Sequence, residues 1–208
     1  MEPVLAGDLL WVDLGSEHRC LASAVLGGGL GAVRTWVNLQ VPPDYARTDP
    51  AAHLEELTAG FAGPVVGMLT AAPVDRFQDV TVGTARAFAT VGLGYPIAAA
   101  GRRVVADPHQ GTINLLVVTD AALTDAGLVG ALQTAVEAKV QALADAGIEA
   151  SNHAGLATGT ASDAVAVACA PGAFVDFAGP ATRAGSELAQ AVHRAVYAGC
   201  RAWDPHGS

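Results

Sequence analysis

The chain alternates between short runs of apolar or alternating residues and longer stretches in which apolar positions recur every third or fourth residue. Leu9 to Leu14 reads as a first strand and His18 to Leu26 as a second. Gly27-Gly28-Gly29-Leu30-Gly31 follows as a turn open to positive φ. Thr35 to Val41 has a period of two, with Trp36, Asn38 and Gln40 on one face and Val37, Leu39 and Val41 on the other. That pattern predicts a strand with one polar-lined face, ended by Pro42-Pro43. Asp49-Pro50 predicts a capped helix start and a helix to about Phe61. Val65 to Thr70 is a short apolar strand, and Asp79 to Val82 with Arg86 to Val91 is a hairpin turning at Gly83-Thr84. Gly92 to Ala100 reads as a loop, and Thr112 to Thr119 is the strongest strand signal in the chain.

Thr124 or Asp125 caps a long helix reaching Ala146 and closed by Gly147. Its apolar stripe runs through Leu128, Leu132, Ala135, Val136, Lys139, Val140 and Leu143. Ser151 to Asp163 is a loop of small residues and Ala164 to Cys169 another apolar strand. A last helix from about Thr182 to Gly199 carries Leu188, Val192 and Val196 on one side. No internal repeat or linker divides the chain, so one domain over residues 1–208 is expected. The elements predict an α+β fold, with about three main helices packed on a mixed or largely antiparallel sheet. A doubly wound fold is disfavoured because strands and helices do not alternate regularly.

Composition narrows the function classes. Hydrophobic residues make up 51% and charged residues 15% of 208 positions, too apolar for a disordered chain. A chain of this length buries roughly 70% of its unfolded surface, enough for a substantial core. Twenty acidic residues against eleven basic ones leave a net charge of −9. That balance argues against a nucleic-acid partner, which needs a basic face, and against an anionic membrane surface. No run of about 20 apolar residues predicts a membrane span. Met1-Glu2-Pro3 has no basic start of a signal peptide, and Cys20, Cys169 and Cys200 are too scattered for a disulfide framework. A cytoplasmic globular protein is the expectation.

The chain has no G-x-S-x-G, H-E-x-x-H, Walker A or C-x-x-C signature. The glycine run at Gly27–Gly31 precedes a strand rather than a helix, so it is a hairpin connection and not a dinucleotide fingerprint. The segment from Asn152 to Asp163 gathers glycines, hydroxyls, His153 and a carboxylate before a buried strand. Its backbone amides suit an oxyanion and Asp163 suits orienting a base or a water; alternatively Thr160, Ser162 and Asp163 only satisfy local turns. Asn38 and Asn114 interrupt apolar strands, so each faces either a ligand or the solvent side of a sheet. Glu137 and Lys139 lie two apart on the long helix and do not pair with each other; Lys139, on the apolar stripe, either snorkels or reaches a buried acid. His53 and His193 fall in helices, His206 in the tail, and His109 and His153 in loops. No His pair has metal-ligand spacing, so no tightly bound metal is expected.

Six segments in register resemble a known family: Arg34-Thr35-Trp36-Val37-Asn38, Gly67-Met68-Leu69-Thr70-Ala71-Ala72, Thr90-Val91-Gly92-Leu93-Gly94, Gly111-Thr112-Ile113-Asn114, Glu137-Ala138-Lys139 and Thr158-Gly159-Thr160-Ala161-Ser162-Asp163-Ala164. Together they are similar to the adenosylcobinamide amidohydrolases of corrinoid salvage, from about Ser23 to Val196. Ser162 stands where many members carry Thr and keeps the hydroxyl; Tyr95 stands where a polar residue is common, and His153 lies in a stretch that varies. The resemblance implies hydrolysis of the amide joining the aminopropanol arm to the corrin ring, giving adenosylcobyric acid and 1-amino-2-propanol. It implies a corrinoid small-molecule partner and no cofactor, and it is compatible with a homo-oligomer. The residues that suit the chemistry are Asp163, Thr160, Glu137 and Lys139 for catalysis, and Asn38, Asn114, Thr112, Thr158 and Ser162 for holding substrate. Alternatives are a non-catalytic corrinoid-binding or trafficking protein, or an α+β domain with another small-molecule role.

Overall fold

A computed structural model describes residues 1–103 and 111–204, so His109 and His206 lie outside the described residues. The chain is α+β. Strands β1 (Pro3–Ala6), β2 (Leu9–Ala22) and β3 (Gly29–Gln40) come first, followed by helix α1 (Pro50–Thr58) and β4 (Val65–Thr70). Then follow β5 (Gln78–Val82), β6 (Ala85–Val91), β7 (Pro96–Ile97) and β8 (Ile113–Thr119). Helix α2 (Asp125–Asp145), β9 (Gly159–Thr160), β10 (Ala164–Cys169) and helix α3 (Arg183–Ala202) complete the order.

The main sheet has eight strands in the order β4-β3-β2-β10-β8-β6-β5, with β1 paired to β2; β7 and β9 form a separate two-stranded ribbon. Among the described residues, only the strand pairs β3–β4 and β8–β10 are parallel. These are the pairs whose connections contain α1 and α2, because a parallel neighbour requires a crossover. The remaining pairs are antiparallel. The expected mixed, largely antiparallel sheet with three helices is therefore what forms.

Several boundaries differ from the sequence reading. The segments Leu9 to Leu14 and His18 to Leu26 are not two strands but one, β2, which ends at Ala22 rather than Leu26 and whose pairing with β3 shifts register between Asp13 and His18. Gly15, at φ 80°, makes the irregularity possible, and its N–H donates to Asp13 Oδ1 at 2.7 Å. Strand β3 begins at Gly29, before the alternating segment. Helix α1 stops at Thr58 rather than near Phe61, and Asp49 does not cap it through its side chain; Arg47 holds that carboxylate instead. Strands β1, β7 and β9, of four residues or fewer, lie inside segments read as termini or loops. The long helices match expectation: Thr124 Oγ1 and Thr182 Oγ1 accept from the N–H groups of Gly127 and Gly185 at 3.1 and 3.0 Å.

The helices lie outside a curled sheet. One face of β6, β8 and β10 packs Ala87, Leu115 and Val167 against Leu128, Ala135 and Leu143 of α2 and Leu188, Val192 and Val196 of α3. Val136, placed on the apolar stripe by sequence, is 39% exposed, so the buried face of α2 is rotated toward Ala131, Ala138 and Ala142. Helix α1 covers Val37 and Leu39 with Leu54. The other face of the sheet turns on itself. Leu10, Trp36 and Met68 share one core with Phe88, Leu116 and Ala166. Asn38 of β3 bonds directly to Thr90 of β6 and Asn114 of β8, although β2 and β10 stand between β3 and β8 in the sheet. Only a strongly coiled sheet allows that. Among the described residues no helix is long and apolar enough to cross a membrane.

Candidate active site

Within the curl, side chains along the strands change from apolar to polar toward one end. Phe88 is followed on the same face of β6 by Thr90, Leu116 is preceded by Asn114 and then Thr112, and Met68 is followed by Thr70. Asn38, Asn114 and Thr90 are fully buried. Asn114 donates from Nδ2 to Asn38 Oδ1 and to the Leu69 carbonyl, both at 2.8 Å, and Asn38 donates to Thr90 Oγ1 at 2.8 Å. The asparagines therefore do not face solvent. They tie the two walls of the curl together, because an amide buried there must find partners. Among the described residues nothing donates to Asn114 Oδ1.

Above this layer opens a cavity of about 520 Å³, within the range of small-molecule sites. Thr70, Thr112, Ser162 and Asp163 line it, as do Tyr45 and Arg47 from the loop after β3. Met68, Leu69 and Ala164 supply apolar wall. Thr112 and Ser162 place their hydroxyl oxygens 2.8 Å apart. Ser162 Oγ also lies 3.3 Å from the Gly111 carbonyl; when Ser162 donates to Thr112 instead, the Thr112 proton is free for a ligand in the cavity.

Asp163 holds this wall in place. Its Oδ1 accepts from the Ile113 N–H at 3.0 Å, the Thr160 N–H at 3.1 Å and the Thr160 hydroxyl; Oδ2 accepts from Lys139 Nζ. The Lys139–Asp163 side chains are only 8% and 11% exposed. Lys139 thus does not snorkel but reaches from α2 to a buried acid. These donors engage both oxygens of the carboxylate, with the Lys139 ammonium on Oδ2. The geometry suits an electrostatic anchor for residues 159–163 better than a proton acceptor. The Thr160 hydroxyl also lies 2.9 Å from the Gly111 carbonyl, and its single proton serves either that oxygen or Asp163 Oδ1, joining this loop to the segment that carries Thr112.

The other sequence-nominated residues lie apart. Thr158 Oγ1 accepts the Ala99 N–H at 2.8 Å and stitches the β7–β9 ribbon. Glu137 is exposed in a separate groove with His193 and Arg194 between α2 and α3. His153 lines a different cleft with Arg102 and Arg103. Sequence reasoning had no signal for Tyr45 and Arg47, which reach the cavity only because their loop folds back beside α1. Burial raises all three thiols, Cys20 to about 12 and Cys200 to about 11, so they stay protonated at neutral pH. Among the described residues no group of three His, Cys, Asp or Glu side chains converges as metal ligands would.

A family profile described as adenosylcobinamide amidohydrolase matches residues 3–208. The chain belongs to this family. Its members are named for hydrolysis of an amide bond. An adenosylcobinamide amidohydrolase of Halobacterium salinarum is 32% identical over 199 residues, covering 86% of this chain and 79% of that protein. One from Methanosarcina mazei is 30% identical over 189 residues, covering 85% and 88%. An uncharacterized protein of Methanocaldococcus jannaschii is 37% identical over 95 residues, and there the match spans 45% of this chain and 37% of the other. Of the six motif segments, those carrying Asn38, Thr70, Thr90, Thr112–Asn114 and Gly159–Asp163 meet at the cavity or in the layer beneath it.

Gly159 explains one of these motif positions. A Cβ there would overlap Asp163 Oδ2 and stand 2.8 Å from Lys139 Nζ. Gly159→Ala is therefore expected to separate the ion pair or displace the β9 loop. Melting temperature and turnover should fall together; unchanged values for both would show that the pair tolerates the extra methyl.

Proposed function

We propose that this chain hydrolyses the amide between the aminopropanol arm and the corrin ring of adenosylcobinamide, giving adenosylcobyric acid and 1-amino-2-propanol. The observation that carries this reading is the Thr112–Ser162 hydroxyl couple on the wall of a cavity, backed by the anchored Asp163–Lys139 pair. An amide is a poor electrophile, and its hydrolysis needs polarisation of the carbonyl, activation of water and protonation of the departing amine. With Ser162 donating to Thr112, the Thr112 proton hydrogen-bonds the scissile carbonyl oxygen and strengthens that bond as negative charge develops. Thr160 and Asp163 hold the couple in place, and Lys139 balances the buried carboxylate. The cavity receives the arm and the adjoining edge of the ring, while the bulk of the corrinoid rests at its mouth. Asn38 and Asn114 fix the width of the floor.

Incubation with adenosylcobinamide followed by mass spectrometry tests the reaction. Appearance of adenosylcobyric acid with an equal amount of 1-amino-2-propanol is expected. Tight binding with the substrate recovered intact would instead identify a corrinoid-binding or trafficking protein.

A further inference from the structure

The anchored wall leaves one chemical requirement unmet. Serine and threonine hydroxyls do not titrate near neutral pH, and Asp163 is engaged by Lys139 and by the Ile113 and Thr160 N–H groups. Arg47, which also lines the cavity, is always protonated and is held by Asp49 at 2.8 Å and Glu56 at 3.3 Å. Tyr45 is the other ionisable residue lining the cavity, and its hydroxyl lies 3.0 Å from Nδ1 of His53 on α1. The two rings stack with centroids 5.8 Å apart and planes at 16°. A turn in which the Tyr45 N–H donates to the Pro42 carbonyl at 3.0 Å sets the approach of the tyrosine, whose ring packs on the Leu54 cluster.

We propose that Tyr45 is a catalytic residue that moves protons for amide hydrolysis, with His53 behind it as positioning residue and proton reservoir. This rests on the amidohydrolase reading of the same cavity. With Nδ1 unprotonated, the phenol donates to His53. As water attacks the carbonyl carbon, its proton passes to the phenol oxygen while the phenol proton moves to Nδ1. As the C–N bond breaks, the same path runs in reverse and delivers a proton to the departing nitrogen. The carbonyl carbon gains one C–O bond and loses one C–N bond, and the pair returns to its starting state.

Imidazole is the side chain that changes charge between pH 5 and 8. Protonation of Nδ1 reverses the hydrogen bond and blocks the first transfer, so the relay runs only with an unprotonated imidazole. The other charged groups on this side of α1 are Arg47, Asp49 and Glu56, with Asp44 and Glu55 exposed nearby. The Arg47 guanidinium holds the Asp49 carboxyl below its usual range, and the two carboxylates hold Arg47 above its own, so neither Arg47 nor Asp49 titrates there.

The experiment measures kcat and KM against pH for the parent chain, Tyr45→Phe, His53→Gln and the double variant, beside their melting temperatures. The expected loss in kcat is roughly 10²–10⁴-fold for each single variant, with KM changed only a few-fold. The double variant should be no worse than the worse single, because the residues act as a unit. His53→Gln should also abolish the acid limb of the kcat profile. Single variants with parental kcat and an unchanged acid limb would overturn the relay while leaving the amidohydrolase reading intact. So would an increase in KM alone, which would make Tyr45 a wall of the cavity. A parent that leaves adenosylcobinamide intact at every pH would overturn both.

Discussion

Asp163→Asn is expected to destabilise the protein by about 3–5 kcal/mol, because it leaves the Lys139 ammonium buried without its counter-charge. For a chain of 150–250 residues that corresponds to a fall in melting temperature of roughly 6–20 °C. Turnover should fall at least about 10²-fold, since a displacement of about 1 Å in a positioned group already costs that much. The Asn side chain keeps one acceptor oxygen for the Ile113 and Thr160 N–H groups, but it cannot balance Lys139. The second variant, Asp163→Asn with Lys139→Met, removes the stranded charge and should recover much of the lost stability. Thermal melting and turnover of both variants check this. A single variant that melts like the parent would show that Lys139 finds water or another partner. A double variant no more stable than the single would show that the charge was not the cause.

Asn114→Asp should have an effect of comparable size from a nearly isosteric change. Asn114 acts as donor toward Asn38 Oδ1 and the Leu69 carbonyl. A carboxylate at this fully buried position would bring acceptors against acceptors and bury an unpaired charge, costing about 3–5 kcal/mol at pH 7. Burial raises the carboxyl group in the folded state above its unfolded value near 4. The folded protein then binds the proton more tightly than the unfolded chain, so the penalty is smallest at low pH and grows as pH rises, by up to about 1.4 kcal/mol per pH unit. Asn114→Ala should cost less, about 1–3 kcal/mol, because it strands two acceptors but also removes the unpartnered Oδ1. Melting curves between pH 5 and 8 distinguish the cases. Equal and pH-independent melting of the two variants would show that donation from Asn114 does not hold the curl together.

Asn38 and Asn114 stood out because a polar amide in an apolar strand demands a partner, but alternation alone assigns a residue to a face and not to the inside or outside of the sheet. Both faces of β3 and β8 are covered here, one by helices and one by the coiled sheet itself, so the apparent polar face is an interior layer. Lys139 was conspicuous on an apolar stripe for the same reason. Its partner, twenty-four residues later at Asp163, depends on how the β9 loop folds over α2. Glu137 belongs to the Glu137-Ala138-Lys139 segment of the resemblance and suits a proton shuttle only if its helix face turns inward. Two helical residues at that spacing point to different sides, and the structure places Glu137 in the groove toward α3.

Sequence alone determined the elements whose signals are local and strong: the capped helices α2 and α3, the apolar strands β4, β8 and β10, the hairpin of β5 and β6, and hence the α+β class. Periodicity and capping act over a few residues, so they can be read without knowing what packs where. Tertiary structure decided the continuity of β2 through its irregularity, the short strands β1, β7 and β9, the curl of the sheet, and the cavity at its polar end. Those features arise from contacts between residues distant in sequence, such as Asn38 with Thr90 and Thr112 with Ser162. Their stability comes from burying and pairing groups that only the folded chain brings together.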